Sequence, residues 1–360
     1  MHKICQRTIT QAQAIREALD HQLTQDESVI LIGEGVPDPK GIFGTTLGLQ
    51  EKHGRKRVFD MPLSENGMTG ICIGASLSGL KPVLVHQRLD FALLSMDQLI
   101  NNAAKWHYMF GGQSSVPIVV RVIVGRGWGQ GPQHSQSLQA LFSHIPGLKV
   151  VMPVFPEDSR AMLVTAIQDK NPVIFIEHRW LHGLTGPVKE QIETTRLNKA
   201  RVVREGNHLT LVATSYMVIE GLKAADALSA HGVDVEVLDL RCTSDIDQEA
   251  IIGSVNKTGL LIVADTGHLS LGISAEIIAL ATQHCFSKLS KAPERVACPS
   301  YPASTSAAQL EDYYPTAQHV ASAIFKLKSD ISEATQREIL RCLSPSGPTD
   351  VPSVDYAGPF

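Results

Sequence analysis

Short, almost uninterrupted apolar runs recur along this chain, separated by longer stretches with helical periodicity. The runs fall at residues 29–32, 82–85, 117–124, 149–152 and 173–176. A strand covered on both faces reads as continuous hydrophobicity, whereas a half-exposed strand alternates. Helical patterns lie between the runs, at 65–78, 96–109, 135–143 and 157–168, the last introduced by Pro156, a favoured first-turn residue. Near the start, Thr10 is placed to cap a helix that carries Ala14, Ile15, Ala18 and Leu19 on one side. Strand–helix alternation of this kind predicts an α/β fold, a doubly wound and mostly parallel sheet.

The chain has 360 residues, more than the ~100–200 typical of one domain. Segment 187–206 is polar and charged, and the α/β pattern restarts beyond it. Strands are expected at 208–213, 233–240, 260–264 and 295–298, with helices at 218–230, 273–283 and 317–328. The expected division is a first domain over 1–187, a linker over 188–206, a smaller α/β domain over 207–329 and a C-terminal tail over 330–360. The end of that tail, from 343, is rich in proline, glycine and serine and reads as extended.

Composition narrows the function. The chain is 43% hydrophobic with a formal net charge of −4, so nothing favours nucleic acid or an anionic membrane as partner. No apolar run approaches the ~18 residues needed to span a bilayer. The six cysteines are scattered without a Cys-x-x-Cys pair, so neither a zinc site nor a disulfide framework is indicated. The start, MHKICQRTITQAQAIREALD, has no signal-peptide core. A cytoplasmic protein is expected.

Two segments carry the chemistry. In Val58-Phe-Asp-Met-Pro-Leu-Ser-Glu-Asn-Gly-Met-Thr-Gly, Asp60–Pro62 should end a strand and Ser64 or its neighbour should open a helix. Glu65 then falls in the first turn, where an acid complements the helix dipole whatever else it does. Gly70, Gly74 and Ser78 follow on one helix face, a small-residue face that another backbone can approach closely, across a subunit interface for example. The second segment is Gly125-Arg-Gly-Trp-Gly-Gln-Gly-Pro-Gln-His, a glycine-rich loop after a strand that ends at His134. Its spacing matches neither a dinucleotide fingerprint nor a P-loop.

Together these blocks resemble a known family. FDMPLSENGMTGICIGASLSGLKPV, MDQLINNAAKWHYMFGG, QHSQSLQALFSHIPGLKVVMP and the weaker GISAEI are similar, in order, to the β subunit of the thiamine-diphosphate-dependent first component of pyruvate and branched-chain 2-oxoacid dehydrogenases. The resemblance spans about residues 8–324. It implies that Glu65 hydrogen-bonds the aminopyrimidine of the cofactor, favouring the tautomer that deprotonates the thiazolium carbon, and that Phe91 packs on the same ring. It implies that His134 contacts the substrate or moves a proton during acyl transfer. Ile118, Ala166, Asp169 and Asn171 match a structural potassium site built largely from carbonyl oxygens, or form an ordinary helix-to-strand turn. The family holds the diphosphate and Mg2+ with a Gly-Asp-Gly motif on an α subunit, and this chain has no Gly-Asp-Gly. An α-type partner, a β–β pair and an α2β2 heterotetramer are therefore implied, with a lipoyl acyltransferase as the usual acceptor protein.

The chain also departs from the family pattern. His86-Gln-Arg-Leu-Asp replaces a mostly apolar and aromatic stretch before Phe91, and Arg88 suits a carboxylate or phosphate on the substrate, or a salt bridge to Asp90 or to the partner chain. Asp265-Thr-Gly-His replaces a Glu-Gly-Trp-like turn. These changes leave the 2-oxoacid open, and with it docking to a lipoyl-bearing core. Two other readings share many of the features: the C-terminal half of a split transketolase-like ketol transferase, and a non-catalytic homologue.

Overall fold

A computed structural model describes residues 6–345 and 347–352. The chain divides into two compact units. Among the described residues, the first comprises those up to Gly125 and Leu141–Leu197, and the second comprises Arg126–Ala140 and residues 198–352. The glycine-rich segment 126–140 thus packs with the second unit.

The first unit is built on a six-stranded sheet of β2 (Val29–Gly33), β3 (Val58–Phe59), β4 (Lys81–His86), β5 (Val119–Val124), β6 (Lys149–Val151) and β7 (Val173–His178). Its order is β3-β2-β4-β5-β7-β6 and every pairing is parallel. All six residues of β5 and of β7 are buried, which is why these strands read as nearly continuous apolar runs; the charges they do carry, Arg121 and Glu177, are paired with each other. A separate antiparallel pair joins β1 (Gln6–Thr10) to β8 (Thr185–Lys189). The helix Gln11–Gln25 opens with a capping box in which Thr10 and Gln13 satisfy each other's backbone amides, and it buries Ala14, Ile15, Ala18 and Leu19 as the periodicity predicts.

The second unit holds a five-stranded sheet of β9 (Arg201–Arg204), β10 (Leu209–Ala213), β11 (Val235–Asp239), β12 (Leu261–His268) and β13 (Glu294–Cys298), in the order β13-β12-β10-β11-β9. Only β9 runs antiparallel, along the β11 edge. One face is covered by Gln248–Thr258 and Ile273–Cys285, whose Ile251, Val255, Ile277 and Ala281 pack with Val212, Leu238 and Val263.

Three expectations are corrected. The helix expected over 135–143 is only Gln139–Ser143. Ser137 and Gln139 spend their side chains on Thr266 and Asp265, and such bonds compete with helix formation. The segment expected as linker, 188–206, contains β9 and the end of β8. The segment expected as tail, 330–360, contains a helix, Glu333–Cys342, started by Ser332 as N-cap with its hydroxyl accepting from Thr335 N–H. The last residues of that tail, 353–360, lie outside the described residues, as does Cys5. Among the described residues the cysteines are free, and no helix is long and apolar enough to cross a membrane.

Candidate active site

In the first sheet the chain leaves β2 for β3 on one side and returns to β4 on the other. Strand order reverses there, and open α/β sheets bind ligands beyond the carboxyl ends of strands at such a point. Glu34 follows β2 directly, and His86 is the last residue of β4. Gly33 pairs with Val85, so Glu34 and His86 occupy neighbouring strand ends. A Cβ at Gly33 would lie 2.3 Å from the Val85 carbonyl oxygen, so only glycine permits this approach. Glu65 opens the helix Glu65–Leu77, which follows β3. Asp60 ties the β3 turn to β2, accepting from Gly35 N–H at 3.0 Å. Thr69 steadies the first helical turn, its hydroxyl donating to the Glu65 carbonyl at 2.7 Å.

Three buried titratable groups therefore converge: Glu34 at 8% exposure, Glu65 at 9% and His86 at 0%. Burial, the neighbouring Glu65 charge and a hydrogen bond to Glu65 push the Glu34 carboxyl up to about 7. The Glu34 carboxyl thus holds its proton up to about neutral pH, hydrogen-bonded to Glu65. Burial pulls the His86 imidazole down to about 4, against the pull of Glu65, so the ring is neutral. Neither ring nitrogen of His86 nor Oε1 of Glu34 has a hydrogen-bond partner among the described residues. Buried polar groups are rarely left so. A carboxyl pair beside a neutral imidazole suits a ligand ring that presents both donors and acceptors, and an aminopyrimidine is one. The residues fit the cofactor that the resemblance implies.

Arg88 precedes the short helix Leu89–Ala92, which carries the half-buried Phe91. Arg88 is itself buried, and desolvation lowers its pKa while the Asp90 charge opposes that. His134 belongs to the second unit, half-buried, after a loop in which Gly127, Gly129 and Gly131 and also Trp128 have positive φ. Beyond it, Ser137 bonds Thr266 at 2.9 Å and Gln139 donates to Asp265 at 2.6 Å. Thr266 lies in the Asp265-Thr-Gly-His segment of β12, where the β12–β13 register shifts between Ala264 and His268. A cavity of about 320 Å3 lies alongside, with Ser135, Gln136, His268 and Tyr314 among its lining. The structure thus gathers Glu65, Arg88 and Phe91 into the first unit and His134 into the second.

The residues of the suggested potassium site do meet, at the turn from helix Pro156–Gln168 into β7. The Ile118 carbonyl accepts from Val173 N–H at 3.0 Å, and the Ala166 carbonyl from Asp169 N–H at 3.2 Å. The Asp169 carboxylate is held by Lys149 and by Asn171 N–H.

Sequence reasoning missed Glu34 and passed over His86 in favour of Arg88. The available signal was their position, each at the end of an apolar run.

Comparison with known proteins identifies the family and the fold. The family profile described as transketolase, pyrimidine binding domain, matches residues 7–183, and transketolase, C-terminal domain, matches residues 198–320. The chain is 40% identical over 324 residues to an acetoin:2,6-dichlorophenolindophenol oxidoreductase subunit beta of Cupriavidus necator, covering 87% of this chain and 95% of that one. It belongs to the β-subunit family of 2-oxoacid dehydrogenase first components. A pyruvate dehydrogenase E1 component subunit beta of Rickettsia bellii is 41% identical, over 78% of this chain and 86% of that one. A solved split gene transketolase, described as an inactive beta4 tetramer, superposes with a TM-score of 0.71 at 21% identity, over 88% of this chain and 97% of that one, a likeness of fold.

Proposed function

We propose that this chain is the β-type subunit of a thiamine-diphosphate-dependent 2-oxoacid dehydrogenase, decarboxylating a 2-oxoacid and passing on the acyl group. The observation that carries the reading is the buried Glu34–Glu65 pair at the point where strand order reverses. When bound, the cofactor's thiazolium ring serves as electron sink for decarboxylation. The chain's own residues do the rest. Glu65 accepts a hydrogen bond from, or exchanges a proton with, the aminopyrimidine, and Glu34 keeps a proton within reach of Glu65. His86 adds a neutral hydrogen-bonding edge, and Phe91 covers the ring by packing. His134 binds the substrate carboxylate or carbonyl or relays a proton during acyl transfer. Arg88 pairs with an acidic group of the substrate.

The diphosphate and Mg2+ fall to an α-type partner, since this chain carries no Gly-Asp-Gly motif. The outer face of helix Glu65–Leu77 supports such docking. Ile71 is 61% exposed, Leu63 just before the helix is 82% exposed, and a side chain at Gly67 or Gly74 would meet open space. An α2β2 assembly with a β–β contact, working in the cytoplasm with a lipoyl acyltransferase as acceptor protein, completes the reading. A potassium ion at the Asp169 turn would coordinate carbonyl oxygens, because Lys149 already neutralises the carboxylate. The ketol-transferase alternative draws on a likeness of fold alone. The test is a screen of 2-oxoacids against the co-expressed pair with an artificial electron acceptor. Turnover that is lost in Glu65→Gln supports the proposal, and ketol transfer between sugar phosphates in its place rejects it.

A further inference from the structure

The glycine-rich loop before His134 is costly to order. Gly127, Gly129 and Gly131 have the widest backbone freedom, and Trp128 sits at φ 49°, a left-handed conformation that a bulky side chain disfavours. Within the second unit this loop is held by a piece of chain from far along the sequence. Trp128 N–H donates to the Asp350 carbonyl at 3.1 Å, and Gly129 N–H donates to the Asp350 carboxylate at 2.9 Å. Asp350 is only 3% exposed. It sits in a turn closed by Val351 N–H to the Pro348 carbonyl at 3.0 Å, and that turn is anchored by the Thr349 hydroxyl on the Leu310 carbonyl at 2.7 Å. From the other side the loop lies against Thr305, whose methyl carbon would be 2.5 Å from a Cβ at Gly131. The match to the transketolase C-terminal domain ends at residue 320, so this contact comes from chain beyond it.

We propose that the turn around Asp350 is a strap that orders the His134 loop, with Asp350 as a positioning residue. Two consecutive loop amides find their acceptors on one residue, one through its backbone and one through its carboxylate. A charge-assisted bond to a backbone amide is among the stronger ones available, and here it falls where the loop has least intrinsic order. The strap thereby fixes the backbone that presents the imidazole. The consequence for turnover rests on the role proposed above for His134, whereas the ordering of the loop does not.

Amide hydrogen exchange on the full-length chain, alone and with its α-type partner, tests this directly. Asp350→Ala, and separately removal of residues 347–360, should raise exchange at Trp128 and Gly129 by roughly tenfold or more. Asp350→Asn keeps a carbonyl acceptor and should restore most of the protection. Strands β10 to β12 should exchange as in the parent chain. In the active pair, kcat should fall in Asp350→Ala with KM little changed, and recover in Asp350→Asn. Unchanged exchange at Trp128 and Gly129 in both Asp350→Ala and the truncated chain would overturn the strap. So would an equal loss in the Ala and Asn variants that spreads through β10 to β12, the mark of a merely structural residue. If no 2-oxoacid is turned over by any form while the loop amides respond as expected, the dehydrogenase reading fails and the strap stands.

Discussion

At the scale of single residues, Glu34, Glu65 and His86 bury three ionisable side chains within reach of one another. Glu65→Gln should lower turnover by at least ~100-fold while leaving the unfolding midpoint nearly unchanged, since general acid–base groups contribute about that much. His134→Ala should reduce kcat while cofactor affinity changes little, and a large loss of affinity would make His134 structural. Stability against pH gives an independent check. The Glu34 carboxyl is raised to about 7, so the folded chain binds its proton more tightly than the unfolded chain does. Its contribution is full at acid pH and is lost as pH rises through about 7. His86 is lowered to about 4 and acts oppositely, its contribution present near neutrality and lost as pH falls toward that value. The two slopes oppose each other in the parent chain, so single variants should unmask them. Urea midpoints of Glu34→Gln should rise more steeply with pH between about 4.5 and 7, and those of His86→Asn should fall. Parallel curves for all three proteins would show that the groups do not titrate as their burial dictates. Glu65 was legible in the sequence because it stands in a long motif. Glu34 was not, because a lone acid after an apolar run has no local signature, and its partner lies across a strand order that sequence does not display.

At the scale of elements, strands buried on both faces were legible as apolar runs, and the Thr10 capping box was legible from its spacing. Thr10→Ala should cost about 1 kcal/mol, read as a shift in the urea midpoint. A shift near zero would mean that docking of helix Gln11–Gln25, whose buried face packs in the first unit, supplies its stability alone. The elements that escaped the reading are those fixed by distant partners. β1 exists only through its pairing with β8, and β9 lies along the β11 edge. Residues 135–138 carry helix-compatible sequence but stay outside the helix, where the Ser137 and Gln139 side chains bond to β12. The helix Glu333–Cys342 was hidden by its polar composition, with Ile339 the residue it buries.

At the scale of the whole molecule, the family relationship and the absence of a Gly-Asp-Gly motif both favour the proposed site shared with an α-type partner. The exposed Leu63 and Ile71 beside Glu65 are the surface expected to be covered in that assembly. An Ile71→Lys variant should weaken association with the α-type partner without destabilising the isolated chain, measured by ultracentrifugation of the mixture. Unchanged association would place the partner elsewhere. We propose that this chain supplies the pyrimidine half of a shared thiamine diphosphate site. The most direct test is calorimetric titration of thiamine diphosphate with Mg2+ into the co-expressed α–β pair and into this chain by itself. Tight binding by the pair, little by the single chain, and marked weakening in the pair that carries Glu65→Gln are expected. Equal binding with and without the partner, or none by a stable pair, would contradict it.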